Sequence, residues 1–199
     1  MPQLILATHN PGKVIEIKTI LHSLPVEIKS LLDFQDLPEV IEDGGTLEEN
    51  ALKKAKETFQ LTDIPTLADD SGLEVYFLGM RPGVHSARFA GEKVSYAANN
   101  KKLLNELKDV PAIQRRARFR CIAAFIAEGV QKTSEGICTG TIIQEERGTG
   151  GFGYDPLFVP DGYNATFAEL SLEVKNVISH RAKAFTAMND FLKNFFSPT

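Results

Sequence analysis

The chain is short of what disulfide scaffolds, zinc domains, membrane proteins and nucleic-acid binders need. It has only two cysteines, Cys121 and Cys138, both in apolar or strand-like settings and without metal-ligand spacing. That argues against a disulfide framework and a cysteine zinc site, and for buried reduced thiols in a reducing compartment. No apolar run approaches the ~20 residues of a membrane span. The start, Met1-Pro2-Gln3-Leu4, shows no basic segment leading into an apolar one. Cytoplasmic residence with no membrane partner is the expectation. Positive charge is not in excess either: 22 Lys and Arg against 26 Asp and Glu give a net charge of −4. A generally basic face for nucleic acid is not expected, although a local basic pocket is compatible with that total. Internal repeats, low-complexity tracts and flexible linkers are lacking.

What is present is a soluble composition, 43% hydrophobic and 24% charged over 199 residues. A chain of this size buries about 70% of its extended surface in one sizeable core or two modest lobes. Its organising stretch is Pro65-Thr66-Leu67-Ala68-Asp69-Asp70-Ser71-Gly72-Leu73-Glu74-Val75. A short apolar approach runs into two adjacent acids, a hydroxyl and a glycine, and then apolar alternation resumes as a strand reaching Leu78. Adjacent carboxylates at a strand end are costly unless a cation or donors satisfy them. Asp, Ser and Gly are also ordinary turn formers, so a plain Asp69-Asp70 turn and a metal site are both open on these residues alone.

Other stretches bear on that choice. Leu4 to Ala7 reads as a buried strand ending at Thr8-His9-Asn10-Pro11-Gly12-Lys13, and Val14, Ile17, Ile20, Leu21 and Leu24 then recur at helical spacing. Asn10 is a plausible N-cap with Pro11 in the first turn. Free N–H groups, a hydroxyl, an amide and the Lys13 cation at a helix start suit a phosphate, although this is not the Gly-rich Walker pattern. Val26 to Leu31 alternates as a second strand, and an acidic run of Glu39, Glu42 and Asp43 follows. Thr46 and Glu49 fit a capping box for the next helix. On it Asn50 and Lys53 share a face, and Glu49 with Lys53 forms a helix-supporting pair.

Ser95 to Leu107 reads as a helix, and Arg115 to Ile126 as a strand whose arginines form a solvated or subunit-facing surface. In Gly148-Thr149-Gly150-Gly151-Phe152-Gly153-Tyr154-Asp155-Pro156 the glycines require tight turns or close approach. Phe152 and Tyr154, alternating with glycine, suit an aromatic surface for a planar base, or the packing of a Gly-rich hairpin. Ser179 precedes a last helix with His180 and Arg181 in its first turn. Cations there oppose the helix dipole and point to a bound anion.

These motifs, in order and over essentially the whole chain, resemble the Ham1-like inosine/xanthosine triphosphate pyrophosphatases. The resemblance implies a single domain over 1–199. Its expected fold is α/β, two lobes on a long mixed β-sheet with flanking helices, with a nucleotide cleft between the lobes. It implies a homodimer and Mg²⁺-dependent hydrolysis of ITP, dITP and XTP to monophosphate and pyrophosphate. By position, Thr8, His9, Asn10, Pro11, Gly12 and Lys13 bind the triphosphate, with Lys53 helping to neutralise it. Glu42 and Asp70 serve the metal, with Asp43 an alternative to Glu42, and Asp70 is the proton acceptor with Asp69 supporting. Ser71 touches substrate, Phe152, Gly153, Tyr154 and Asp155 with His180 and Arg181 frame the base, and Lys175 binds substrate. His9 and Tyr76 depart from the family's commoner residues. A donor near His180-Arg181 would favour a 6-oxo purine over adenine. The alternatives are a Maf-like pyrophosphatase for modified pyrimidine nucleotides and a nucleotide-binding module without turnover.

Overall fold

The computed structural model describes residues 1–34, 37, 38 and 40–197. Of the acidic run, Glu39 lies outside the described residues. Six strands form one sheet in the order β2-β1-β3-β4-β5-β6: β1 Gln3–Leu6, β2 Glu27–Ser30, β3 Thr66–Val75, β4 Arg116–Ala127, β5 Val130–Ile142 and β6 Phe158–Pro160. β1 pairs in parallel with β2 and β3, whereas β5 and β6 are antiparallel, so the sheet is mixed. The helices are α1 Pro11–Ile20, α2 Leu47–Thr62, α3 Tyr96–Glu106, α4 Leu172–Ile178 and α5 His180–Phe196. Among the described residues no helix is long and apolar enough to cross a membrane.

The chain divides into two compact units, the first comprising Met1–Asp70, Cys121–Gly136 and His180–Thr199, the second Ser71–Arg120 and Ile137–Ser179. In the first, Leu4, Leu6 and Leu67 from the strands meet Ile17 of α1, Leu21 at its C-cap, and Phe185, Met188 and Leu192 of α5. Phe125 makes edge contacts with Phe191 and Phe195 at 5.6 and 5.0 Å between centroids. In the second, Leu103 of α3 and Leu107 at its C-cap pack with Phe119, Phe158 and Phe167. Burying the apolar faces of these elements supplies the main stabilising term in each unit.

Local chemistry explains the helix starts. The Asn10 side chain accepts from the Lys13 N–H at 3.2 Å, with Pro11 leading α1. Thr46 and Glu49 form the expected capping box of α2, and the Glu49 carboxylate also accepts from the Gly45 N–H at 2.8 Å. With its carboxylate held there, Glu49 does not pair with Lys53, which instead donates to Asp43.

The main difference from the sequence expectation is at Asp69-Asp70. There is no turn: β3 runs unbroken from Thr66 through both acids to Val75, and a short 3₁₀ turn, not strand, covers Tyr76–Leu78. Both acids have partners within the sheet's surroundings, so turn propensity does not decide their conformation. Gly72 follows because a Cβ there would lie 2.3 Å from the Gly83 carbonyl oxygen. The short helix α4 precedes α5.

Candidate active site

In the first unit, consecutive positions on a strand point to opposite faces, so β3 turns Asp69 and Asp70 into different surroundings. Asp69 is 1% exposed. Its Oδ2 faces the Lys13 ammonium at 3.2 Å and accepts from Arg181 Nε at 3.3 Å and Nη2 at 3.1 Å. Burial pushes this carboxyl up, but Lys13, Arg181 and Lys54 outweigh burial and hold it far below the usual carboxylate range. Arg181 also donates from Nη1 to Glu16 Oε2 at 2.7 Å. Burial favours the neutral guanidine, yet Asp69 and Glu16 raise its affinity for the proton further. The anion expected at the start of α5 is therefore supplied by the protein's own carboxylates, Asp69 and Glu16.

Asp70 accepts from Asn50 Nδ2 at 3.0 Å. Its carboxyl is raised, first by burial and then by the charge of Glu42, against the opposing pull of Lys54, Lys13 and Asn50. Lys54 lies among these acids: its ammonium donates to Glu42 and, at 2.6 Å, to the Asp69 carbonyl. Burial lowers the Lys54 pKa, but the carboxylates of Asp70, Glu42 and Asp69 raise it more.

Lys53, expected at the phosphates, donates to Asp43 at 2.6 Å on the exposed side of α2. Helical phase separates the two lysines, because Lys54 is four residues from Asn50 and directly above it. The same pairing separates Glu42, which shares Lys54 with Asp69, from Asp43, held by Lys53. At the α1 end the Asn10 N–H donates to Thr8 Oγ1 at 3.2 Å. His9 and Pro11 are exposed there, and Gly12 is half-buried. His180 is buried.

The donor set tests the expected metal. Glu42 and Asp70 offer hard carboxylate oxygens close enough to oppose each other's charge. Among the described residues no group of three or more His, Cys, Asp or Glu gathers. Mg²⁺, which binds through one or two carboxylates and keeps several waters, suits such a pair.

In the second unit, Asp155 organises the glycine-rich stretch. Its Oδ2 accepts from the Phe152 N–H at 2.9 Å and from Lys175 Nζ at 2.5 Å. Gly151 takes a left-handed φ of +69°, and a Cβ there would lie 2.1 Å from that same oxygen. The Lys175 ammonium stands 4.8 Å from the centroid of the Phe152 ring. Tyr154, expected beside Phe152 on an aromatic surface, is instead a core residue donating to the Ser86 carbonyl at 2.9 Å. Burial pushes its hydroxyl pKa up. Phe152 is half-buried, as are Gly153 and Ser71.

The arginines of β4 are engaged within this unit. Arg116 donates to Asp161 Oδ2 at 2.8 Å, Arg118 to Glu74 Oε2 at 2.5 Å, and Arg115 is buried against backbone carbonyls. Three partners absent from the expected site are thus in place: Lys54, Asn50 and Glu16. Asn50 carried a signal, since a buried Asn in a helix interior is a poor helix former with polar groups to satisfy.

The chain as a whole has close counterparts. A dITP/XTP pyrophosphatase of Geobacter sulfurreducens is 52% identical over 96% of this chain and 97% of that protein. A HAM1 protein from Coxiella burnetii superposes with a TM-score of 0.87 at 36% identity, covering 98% of this chain and 100% of that one. A nucleoside-triphosphatase and dITP/XTP pyrophosphatase from Mycobacterium abscessus gives a TM-score of 0.74 at 42% identity, covering 94% and 98%. With the profile of the Ham1 family matching residues 4–191, the chain belongs to the Ham1 family.

Proposed function

We propose that the chain hydrolyses non-canonical purine nucleoside triphosphates, ITP, dITP and XTP, to the nucleoside monophosphate and pyrophosphate. The grouping of Glu42, Asp70 and Lys54 carries this reading: two carboxylates brought together around one buried ammonium. The dITP/XTP activity named for the Geobacter sulfurreducens protein, at 52% identity, supports the substrate class.

Phosphate oxygens bind at the Thr8–Lys13 turn, where N–H groups of the first turn of α1 and the Lys13 ammonium meet a polyanion. Asp69, itself held by Arg181, fixes Lys13, so the cation is oriented before substrate arrives. Asp70 accepts the proton of the attacking water. Asn50 holds one Asp70 oxygen and thereby orients the carboxylate. Glu42 and Asp70 hold Mg²⁺, which when bound neutralises phosphate charge. Lys13 and Lys54 offset the negative charge that grows on departing pyrophosphate. Phe152, with Gly153 beside it, forms a ledge for the base. Ser71 and Lys175 add polar contacts.

The reading takes residues 1–199 as one working domain, in a cytoplasmic homodimer whose mass light scattering measures. A nucleotide panel of ITP, dITP, XTP, GTP and ATP, with and without Mg²⁺ and with separate quantification of pyrophosphate and orthophosphate, tests the activity. Pyrophosphate from the first three substrates is expected, and only with Mg²⁺. Orthophosphate as the first product, or equal turnover of ATP, overturns it.

A further inference from the structure

The second unit contains two kinds of aromatic contact. Phe119, Phe158 and Phe167 are buried together, with centroids 4.8 to 6.0 Å apart, and serve the core. Tyr96 and Phe152 also meet, with centroids 6.3 Å apart and planes inclined at 38°. Yet Tyr96 is 47% exposed and Phe152 only half-buried, so this pair keeps ring area open to a ligand.

Both rings stand on braced backbone. Tyr96 is the first residue of α3, capped by Ser95, whose side chain accepts from the Ala98 N–H. Nearby, Asn99 ties the helix down by accepting from the Ala90 N–H at 2.8 Å and donating to the Ala87 carbonyl at 3.0 Å. Lys102 adds a bond to the Phe89 carbonyl at 2.6 Å. Phe152 is held through its own N–H to Asp155. The first turn of α3 has no acidic residue, although the helix dipole favours one. A large, half-exposed aromatic there gains nothing from the dipole; its use lies in contact.

We infer that Tyr96 is a second aromatic contact for the purine base, flanking a base that lies on Phe152, and a determinant of nucleotide affinity. The inference rests on the reading of Phe152 as the base ledge. A heterocycle held flat between parallel rings needs two contacts of about 3.5–4 Å each, or roughly 7–8 Å between the rings. At 6.3 Å and 38° the two rings form a wedge, so the base stacks on Phe152 and meets Tyr96 along one edge. Every purine has an apolar face and edge, so the contact raises affinity without itself choosing among bases.

The test compares the unmodified protein with Tyr96→Ala and Tyr96→Phe in ITP turnover, in calorimetric binding of inosine monophosphate, and in inhibition by inorganic tripolyphosphate, which has no base. In Tyr96→Ala, KM for ITP and Kd for the monophosphate should rise about three- to tenfold, with kcat and tripolyphosphate inhibition little changed. Tyr96→Phe keeps the ring and should restore both constants. Unchanged KM and Kd in Tyr96→Ala, with ITP turnover intact in the unmodified protein, overturn the inference and leave the functional reading standing. Parallel weakening of tripolyphosphate inhibition, or a fall in kcat, shows a structural effect and also overturns it. If the unmodified protein releases no pyrophosphate from ITP, the functional reading fails and monophosphate binding decides. Equal or absent binding in the unmodified protein and Tyr96→Ala then overturns the inference as well.

Discussion

Asn50 holds Asp70 with one end of its amide and the backbone ahead of α2 with the other. Nδ2 donates to Asp70 Oδ2 at 3.0 Å, and Oδ1 accepts from the Gly44 N–H at 2.8 Å. The carboxylate and the turn are therefore set by a single buried side chain. Replacing it disturbs both.

Asn50→Ala should lower kcat/KM for ITP by roughly ten- to a hundredfold, the equivalent of a lost hydrogen bond to a charged group of about 1.5–3 kcal/mol. Steady-state kinetics beside a urea melt separates this from unfolding. Activity within about twofold of the unmodified protein would show that the amide does not orient the carboxylate.

The adjacent lysines of α2 should behave differently. Lys54→Met strips the half-buried Glu42 carboxylate and the buried Asp69 carbonyl of their donor, and losing a hydrogen bond from a charged group costs about 1.5–3 kcal/mol. Lys53→Met removes only a solvent-screened pair with Asp43 and should leave stability nearly unchanged. Chemical denaturation of both variants reads the difference. Equal losses would contradict the placement of the two side chains.

Arg181 and Glu16 should be coupled. Arg181→Met leaves two buried carboxylates short of a cation and should cost about 3–5 kcal/mol. Adding Glu16→Gln removes one of the stranded charges, so the double variant should recover part of that loss. A double-mutant cycle by urea unfolding should give a coupling of about 0.5–3 kcal/mol, whereas strict additivity would separate the two residues.

Asp161 offers a pH test away from the site. Hydrogen bonds from Arg116 and Thr139 hold its carboxyl down at about 2, against 3.8 unperturbed. A folded-state pKa below the unfolded one stabilises the fold above the unfolded value, and that contribution fades as pH falls from 3.8 toward about 2. The pair is half-exposed, so solvent screening keeps the effect small. Asp161→Asn should therefore melt slightly below the unmodified protein at neutral pH, with the gap closing in acid. A gap that widens in acid would reverse the assignment.

Much of this was legible from local chemistry. The Asn10 cap and the Thr46–Glu49 box are set by residues within a few positions of one another, and both appear as read. The site was less legible where the deciding partner is remote. A turn stayed open at Asp69-Asp70 because Asp, Ser and Gly are turn formers, while one partner that holds Asp69 in the strand, Arg181, lies 112 residues away. Lys53 and Lys54 differ only by helical phase, which no motif spells out. Tyr154 turned inward while Phe152 stayed half-open, and left-handed glycines at 151 and 153 set that local course of the backbone.

The unbroken path of β3 also sets how this part of the gene can change. Because successive side chains alternate faces, inserting one codon between Thr66 and Asp69 would deliver the first acid to Asn50 and carry the second past it, leaving Arg181 without its carboxylate. Deleting one codon would deliver the second acid to the guanidinium and leave Asn50 without its partner. Substitution at the flanking apolar positions costs packing alone, whereas a change of length displaces the charge arrangement. Strand length here is a stricter constraint than side-chain identity beside it.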